Sequence, residues 1–142
     1  MSRNGFVSLL AIAVAAIVTA GCGSADETVT NLTGFTSPTG NIGCYIDRKS
    51  VRCDIGDRDW EPPRAPKSCD LDWGNAFNLR ATGHASRLCV GDTAVDPRSP
   101  TLAYGRTWSR GGFTCKASTA GLRCTNRSGH GFFLSRSSQR LF

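Results

Sequence analysis

Three groups of residues in this chain have types and spacings suited to chemistry: its cysteines, its two histidines with the acids and serines around them, and a run of arginines in the last third. Cys44 and Cys53 stand nine positions apart, and so do Cys115 and Cys124, seventy-one residues further on. In each copy an aliphatic residue and an arginine, Val51-Arg52 or Leu122-Arg123, precede the second cysteine. Thiols could ligate a metal or pair with one another. Structural zinc sites commonly use Cys-x-x-Cys pairs, and none occurs here. Eight intervening residues instead suit two short strands and a tight reversal, which sets the two cysteines opposite each other within disulfide reach. The expected chemistry is oxidative cross-linking, with no metal and no cofactor.

The histidines and acids hold the ingredients of hydrolysis. A catalytic histidine needs a nucleophile and an orienting acid. His130 lies between Gly129 and Gly131, with Ser128 and Ser135 close in sequence and Asp92 and Asp96 as candidate acids. No Gly-x-Ser-x-Gly elbow accompanies them. The plainer expectation is that His130, like His84 after Gly83, serves a tight turn, so no catalytic residue is assigned and His130 stays the weak candidate that a hydrolase would use. Asp54, Asp57, Asp59 and Glu61 surround Trp60 and could supply paired carboxylates for sugar hydrolysis, although a solvated loop has the same composition. Asp70-Leu71-Asp72 opens like a calcium loop, but glycine falls at the fifth position instead of the sixth and the closing glutamate position is Ala81.

The basic third carries the stronger functional signal. Arg106, Arg110, Lys116, Arg123, Arg127, Arg136 and Arg140 alternate with Tyr104, Trp108, Phe113 and Phe132. Residues 97–142 contain eight Lys/Arg and no acid, whereas residues 23–96 contain eight Lys/Arg and eleven Asp/Glu. Arginine pairs bidentately with phosphate or carboxylate and stacks on rings. A candidate binding face therefore comprises Arg106, Trp108, Arg110, Lys116, Arg123, Arg127 and Arg136. It suits an anionic cell-wall polymer, lipid headgroups or an acidic protein; nucleic acid is not the expected partner outside a membrane. The rival readings are an inhibitor of an exported hydrolase and a hydrolase using His130.

The compartment is read from the front of the chain. Residues 1–21 open with Arg3, run through an apolar segment from Phe6 to Val18 and end in Thr19-Ala20-Gly21 before Cys22. That is the anatomy of an export signal, and the run is too short and alanine-rich for a comfortable membrane span. Small residues before a cysteine resemble a bacterial lipobox, in which Cys22 would be acylated and anchor the protein to the outer face of the cell membrane. The position three before it is Thr19 where leucine is usual, so the alternatives are cleavage after Ala20, with release as a secreted protein, or an uncleaved anchor. Setting Cys22 aside leaves six of the seven cysteines, an even number for an oxidising compartment. Six cysteines allow fifteen pairings; sequential neighbours are expected, Cys44 with Cys53, Cys69 with Cys89, and Cys115 with Cys124.

Residues 22–37 after the signal are small and polar and read as a tether. From Pro38 to Phe142 the pattern is that of a single domain. Ile42–Ile46 with Val51–Ile55, and Phe113–Asn126, give two hairpins; Phe77–Ala81 alternates as a strand with one wet face, Leu88–Val90 returns beside it, and Leu102–Tyr104 and Phe132–Leu134 are further short strands. Three prolines between Asp57 and Pro66 exclude a central strand or helix there and leave an extended connection in which Trp60 covers an edge of the core. No apolar period of 3.6 persists after residue 22. The fold class is all-β, a small disulfide-stapled barrel or sandwich of seven to eight short antiparallel strands with no helix after the signal peptide.

Ser37-Pro-Thr-Gly-Asn-Ile-Gly-Cys44, Val51-Arg-Cys-Asp-Ile55, Asp72-Trp-Gly74, Cys89-Val-Gly-Asp-Thr93, Leu102-Ala-Tyr-Gly105, Gly121-Leu-Arg-Cys124, Ser128-Gly-His-Gly-Phe132 and Leu134-Ser-Arg136 follow one another in order. Together they resemble a family of small secreted or lipid-anchored actinobacterial proteins classed as a domain of unknown function, over about Ser37 to Phe142. The resemblance implies an exported location and a disulfide-stapled β domain. It brings no activity with it.

Overall fold

The computed structural model describes residues 28–47 and 49–142; the expected signal segment, Cys22 and the first residues of the tether lie outside them. Among these residues eleven strands form two sheets: β1 (Thr28–Val29), β2 (Gly34–Thr36), β3 (Ile42–Asp47), β4 (Ser50–Ile55), β5 (Asp72–Arg80), β6 (Ser86–Val90), β7 (Thr107–Arg110), β8 (Phe113–Ser118), β9 (Gly121–Thr125), β10 (Gly131–Leu134) and β11 (Gln139–Leu141). One sheet runs β2-β3-β4-β5-β6 and the other β1-β7-β8-β9-β10-β11, with β1 parallel to β7 and every other named pair antiparallel. The chain is all-β, an open sandwich in place of a closed barrel, and the described residues contain no helix. The count exceeds the expected seven or eight because two- and three-residue edge strands carry too few residues to show alternation.

Period-two alternation decides which side chains meet between the sheets. From one sheet come Phe35, Ile42, Cys44, Val51, Cys53, Ile55, Phe77 and Leu79; from the other come Trp108, Phe113, Cys115, Ala117, Leu122, Cys124, Phe132 and Leu134. Tilted aromatic pairs join the layers at two places, Phe35 with Trp108 at 5.4 Å between centroids and Phe77 with Phe132 at 5.8 Å. The hairpin disulfides Cys44–Cys53 and Cys115–Cys124 also meet there, with Cys53 Sγ 3.9 Å from Cys124 Sγ. Cys44 faces Cys53 and Cys115 faces Cys124 in strand register, and Cα separations of 4.1 and 4.0 Å fit the close, non-hydrogen-bonded positions of an antiparallel ladder. The third disulfide, Cys69–Cys89, is half-buried and ties the proline-rich connection to β6. Trp60 in that connection packs edge-on against Phe77 at 6.3 Å.

Two expectations are corrected. Residues 28–37 do not tether the domain; they are part of it. β1 and β2 edge the two sheets, Phe35 is fully buried, and the Leu32 and Thr33 carbonyls accept from Trp108 Nε1 at 2.9 Å and Ile46 N at 2.9 Å. With so few apolar residues the segment shows no period, yet its backbone groups are satisfied by the sandwich. Leu102–Tyr104 is not a strand either. Only Thr101 bridges Thr36, through Thr36 N to the Pro100 carbonyl and Leu102 N to the Thr36 carbonyl, both at 2.8 Å; Leu102 then drops into the core and Tyr104 leaves for solvent.

The outer face of the five-stranded sheet is covered by the loop after β6, and an ion pair holds the cover down. Arg52 and Asp54 point outward on β4 yet are buried. The Arg52 guanidinium grips Asp54 at 2.7 and 2.8 Å, and reaches the Asp92 carboxylate at 3.0 Å and the Asp92 carbonyl at 3.1 Å. The Ala94 amide donates to Asp54 at 3.0 Å. Hydrogen bonding to Asp54, above all, lifts the Arg52 guanidinium above its already high value, so it stays charged throughout the accessible pH range. Gly43 beneath the loop admits its close approach, since a Cβ there would sit 2.4 Å from the Ala94 carbonyl oxygen.

A mild reductant followed by alkylation and peptide mapping should label Cys69 and Cys89 first, leaving Cys44, Cys53, Cys115 and Cys124 protected until the fold opens. Replacing Cys44 and Cys53 together with alanine should cost about 3–5 kcal/mol in urea unfolding, combining lost loop constraint with the loss of buried sulfur. Asp54→Ala should cost about 3 kcal/mol by leaving a buried guanidinium half-paired, whereas Arg52→Met with Asp54→Leu should recover most of that loss.

Candidate functional site

On the outer face of the six-stranded sheet the same alternation sets one residue per strand in a line. Register aligns Thr107 of β7 with Lys116 of β8, Lys116 with Arg123 of β9, Arg123 with Phe133 of β10, and Phe133 with Arg140 of β11. Lys116, Arg123 and Arg140 are exposed and Phe133 is half-buried. Neighbouring strands lie about 4.8 Å apart, so Arg123 stands one strand spacing from Lys116 and two from Arg140. The Phe142 ring lies under two of them, 4.1 Å from the Arg123 guanidinium and 5.6 Å from that of Arg140.

The duplicated motif shows how unusual this position is. Arg52 and Arg123 occupy matching places before the second cysteine of each hairpin, but the residue two further on is Asp54 in one and Thr125 in the other. Arg52 is neutralised and covered. Arg123 is exposed on a face whose strands, β7 to β11, contain no acid.

The expected binding face is corrected in its membership. Trp108 does not belong to it: the indole is fully buried against Phe35, because its place in the β7 alternation points inward. Phe113 and Phe132 are buried likewise. Arg136 lies at one end of the sandwich and contacts Asp59 at 3.2 Å. Arg110 and Arg127 lie at the opposite end, with Arg127 folded over Gly112 in the β7–β8 turn. Arg106 is half-buried where the chain enters β7. Arg140 and Phe142 were outside the expected set; their signal was the Arg140-x-Phe142 spacing that puts both beside Phe133 across a final strand too short to recognise.

A second feature occupies the end of the sandwich that carries Arg136. Loops from both sheets enclose a cleft of about 320 Å³. The β2–β3 turn is held by Gly40 N to the Ser37 carbonyl and Ile42 N to Ser37 Oγ. Asn41 clamps the exit of β4, donating to the Asp57 carbonyl at 2.9 Å and accepting from Asp57 N at 2.6 Å. Asp59 N bonds the Arg136 carbonyl at 2.8 Å, and Trp60 Nε1 bonds the Ser135 carbonyl at 2.9 Å. Gly105 N bonds the Ala117 carbonyl, which stations Tyr104 at the rim with 47 % of its surface exposed. The motif segments around Ser37–Ile42, Tyr104, Gly121–Leu122 and Ser135–Arg136 thus converge on one concavity.

His130 meets His84, ring centroids 3.8 Å apart, at the far end of the sandwich. Its backbone belongs to a turn built on buried Asn126, whose Oδ1 accepts from Ser128 N and His130 N and whose Nδ2 donates to the Arg80 and Gly83 carbonyls. One side chain therefore ties the β9–β10 turn to the β5–β6 turn. Asp92 is engaged by Arg52, and Asp96 by Arg98 at 3.0 Å, a bond that holds the Asp96 carboxyl below its usual range. Among the described residues the three sulfurs close enough to suggest a metal, from Cys44, Cys53 and Cys124, belong to disulfides. Oxidised sulfur does not ligate as thiolate does.

A family model described as a family of unknown function, DUF6636, matches residues 8–142. No curated protein and no solved structure matches the chain.

If Asn126 rather than either imidazole builds the far end, Asn126→Ala should lower stability by about 2–3 kcal/mol, since it orphans buried backbone groups. His130→Ala should stay within about 1 kcal/mol of the parent. Urea titrations of the two variants check both values.

Proposed function

Because the chain belongs to the DUF6636 family, whose function is unknown, its role has to be read from its own residues, and we propose that it is an exported, membrane-anchored module that binds an anionic polymer of the cell envelope without catalysis. The export signal in residues 1–21 and the acylated Cys22 form part of this proposal, supported by their sequence pattern and by three disulfides, which belong to oxidising compartments. The observation that carries the binding function is the line Lys116–Arg123–Phe133–Arg140 across strands β8 to β11, whose residues include no acid.

Like charges opposite each other across two strands are destabilising, and Lys116 sits directly opposite Arg123. Arg123 and Arg140, both exposed, present their guanidinium groups to a polyanion laid across the row. Phe142 contacts the Arg123 and Arg140 guanidinium groups at 4.1 and 5.6 Å, which reduces the rotamer freedom lost on binding. Repeated phosphate or carboxylate along a flexible polymer can match such a row without a deep pocket.

Arg123→Glu with Arg140→Glu should weaken binding to isolated cell-wall fractions or to inorganic polyphosphate by about thirtyfold or more at low salt, taking roughly 1 kcal/mol for each cation lost. The difference should shrink as salt rises and the Debye length falls from about 10 Å at 0.1 M. Co-sedimentation that gives the same retention for parent and variant at low salt would overturn the reading.

A further inference from the structure

We propose that the cleft at the Arg136 end of the sandwich is a binding site for a neutral sugar ring, separate from the cationic row. Its volume of about 320 Å³ lies at the lower end of the range for small-ligand clefts, about 300–1,000 Å³. That suits one or two pyranose rings. The floor is apolar, with Ile42 and Leu122 buried in the core behind it. At the rim stands Tyr104, half-exposed although it is among the largest apolar side chains of the domain. A pyranose presents a face of C–H bonds and an edge of hydroxyls, so it needs an aromatic plane on one side and in-plane donors and acceptors around it.

The lining supplies that edge chemistry. The Asp57 carboxylate and the Thr119 hydroxyl have no hydrogen-bond partner among the described residues. Arg136 engages Asp59 through Nε, leaving its terminal nitrogens to donate. Asp57 accepts, Arg136 donates and Thr119 does both. One carboxylate and one guanidinium make the lining close to neutral, which favours a polar uncharged ligand over the anions suited to the row.

Backbone bonds hold these groups before any ligand arrives. Asp57 is clamped by Asn41, Arg136 by Asp59 N, and the Tyr104 loop by Ala117. Binding then requires little reordering, and low ordering cost is what allows a small ligand with few contacts to be retained. The site also borders the row: Ser118 and Gly121 line the cleft, and Lys116 and Arg123 lie two residues along the same strands. A polymer alternating sugar and anion could reach both, but the cleft is argued from its own lining.

The test uses the intact disulfide-bonded protein and uncharged saccharides: glucose, galactose, mannose and N-acetylglucosamine, with maltose, lactose and chitobiose as two-ring probes. Amide resonances of Gly40, Gly105 and Thr119 should shift on titration with at least one of them. Tyr104→Ala should weaken that binding about tenfold or more, whereas Tyr104→Phe, which keeps the ring, should stay within about threefold. Arg123→Glu with Arg140→Glu should leave saccharide binding unchanged, so failure of the cleft and failure of the row are distinguishable. The proposal is overturned if none of the seven sugars moves those resonances at concentrations on the order of tens of millimolar, or if Tyr104→Ala binds as well as the parent. Tyr104 is surface-exposed, so neither variant should unfold the protein.

Discussion

Where the disulfide of one hairpin rests on the disulfide of the other, with Cys53 Sγ and Cys124 Sγ 3.9 Å apart, the two sheets of this domain are joined at their centre. Sheets in a sandwich pack about 10 Å apart, and side chains from both inner faces must fill the gap. A domain of this size has a limited apolar interior. Two cystines stacked in the middle fill volume as small apolar groups would, and each also locks the register of the hairpin that carries it. A one-residue slip would turn every inward side chain outward. The cross-links therefore specify which faces meet as well as how firmly they hold.

The same logic extends outward from each hairpin. Alternation that sends Cys53 inward sends Arg52 and Asp54 outward, and their pairing gives the loop at Asp92–Ala94 a place to land. A buried ion pair is weak evidence for net stability, because desolvation offsets most of the attraction. Its evident consequence here is positional: it fixes a loop over one sheet, while strands β7 to β11 of the other carry no acid in the place of Asp54. One face of the sandwich is covered and the opposite face is left cationic.

Much of this was legible in the sequence where a local rule acts alone. Nine-residue cysteine spacing with alternating neighbours marks both hairpins, and the absence of a helical period marks the class. Elsewhere tertiary partners decided. Trp108 looked like a surface ring among arginines, but alternation on β7 points it at Phe35. Leu32 and Phe35 sit in a polar stretch that reads as linker, and are recruited because edge positions beside β3 and β7 were vacant for pairing. The meeting of His84 with His130, and of five loops around the cleft, is long-range geometry that no local pattern encodes. Tyr104 was visible only as an aromatic in a short apolar run; it is exposed because the chain turns at Tyr104–Gly105, away from buried Leu102.

The cationic row and the cross-links are linked by register. Lys116 faces Arg123 at the position next to Cys115 facing Cys124. A like-charge pair on one face of two strands is thus backed, one residue away on the other face, by a covalent bond between the same strands. Repulsion between two such cations acts to part the strands that carry them. With the disulfide, separation of the strands is limited whatever the charge on the outside. Pairing of β8 with β9 then does not depend on those side chains being compatible with one another. In the first hairpin, where Asp54 neutralises Arg52, the corresponding cystine holds an arrangement that is already satisfied. In the second the cystine lies one residue from two cations that face each other across the same pair of strands.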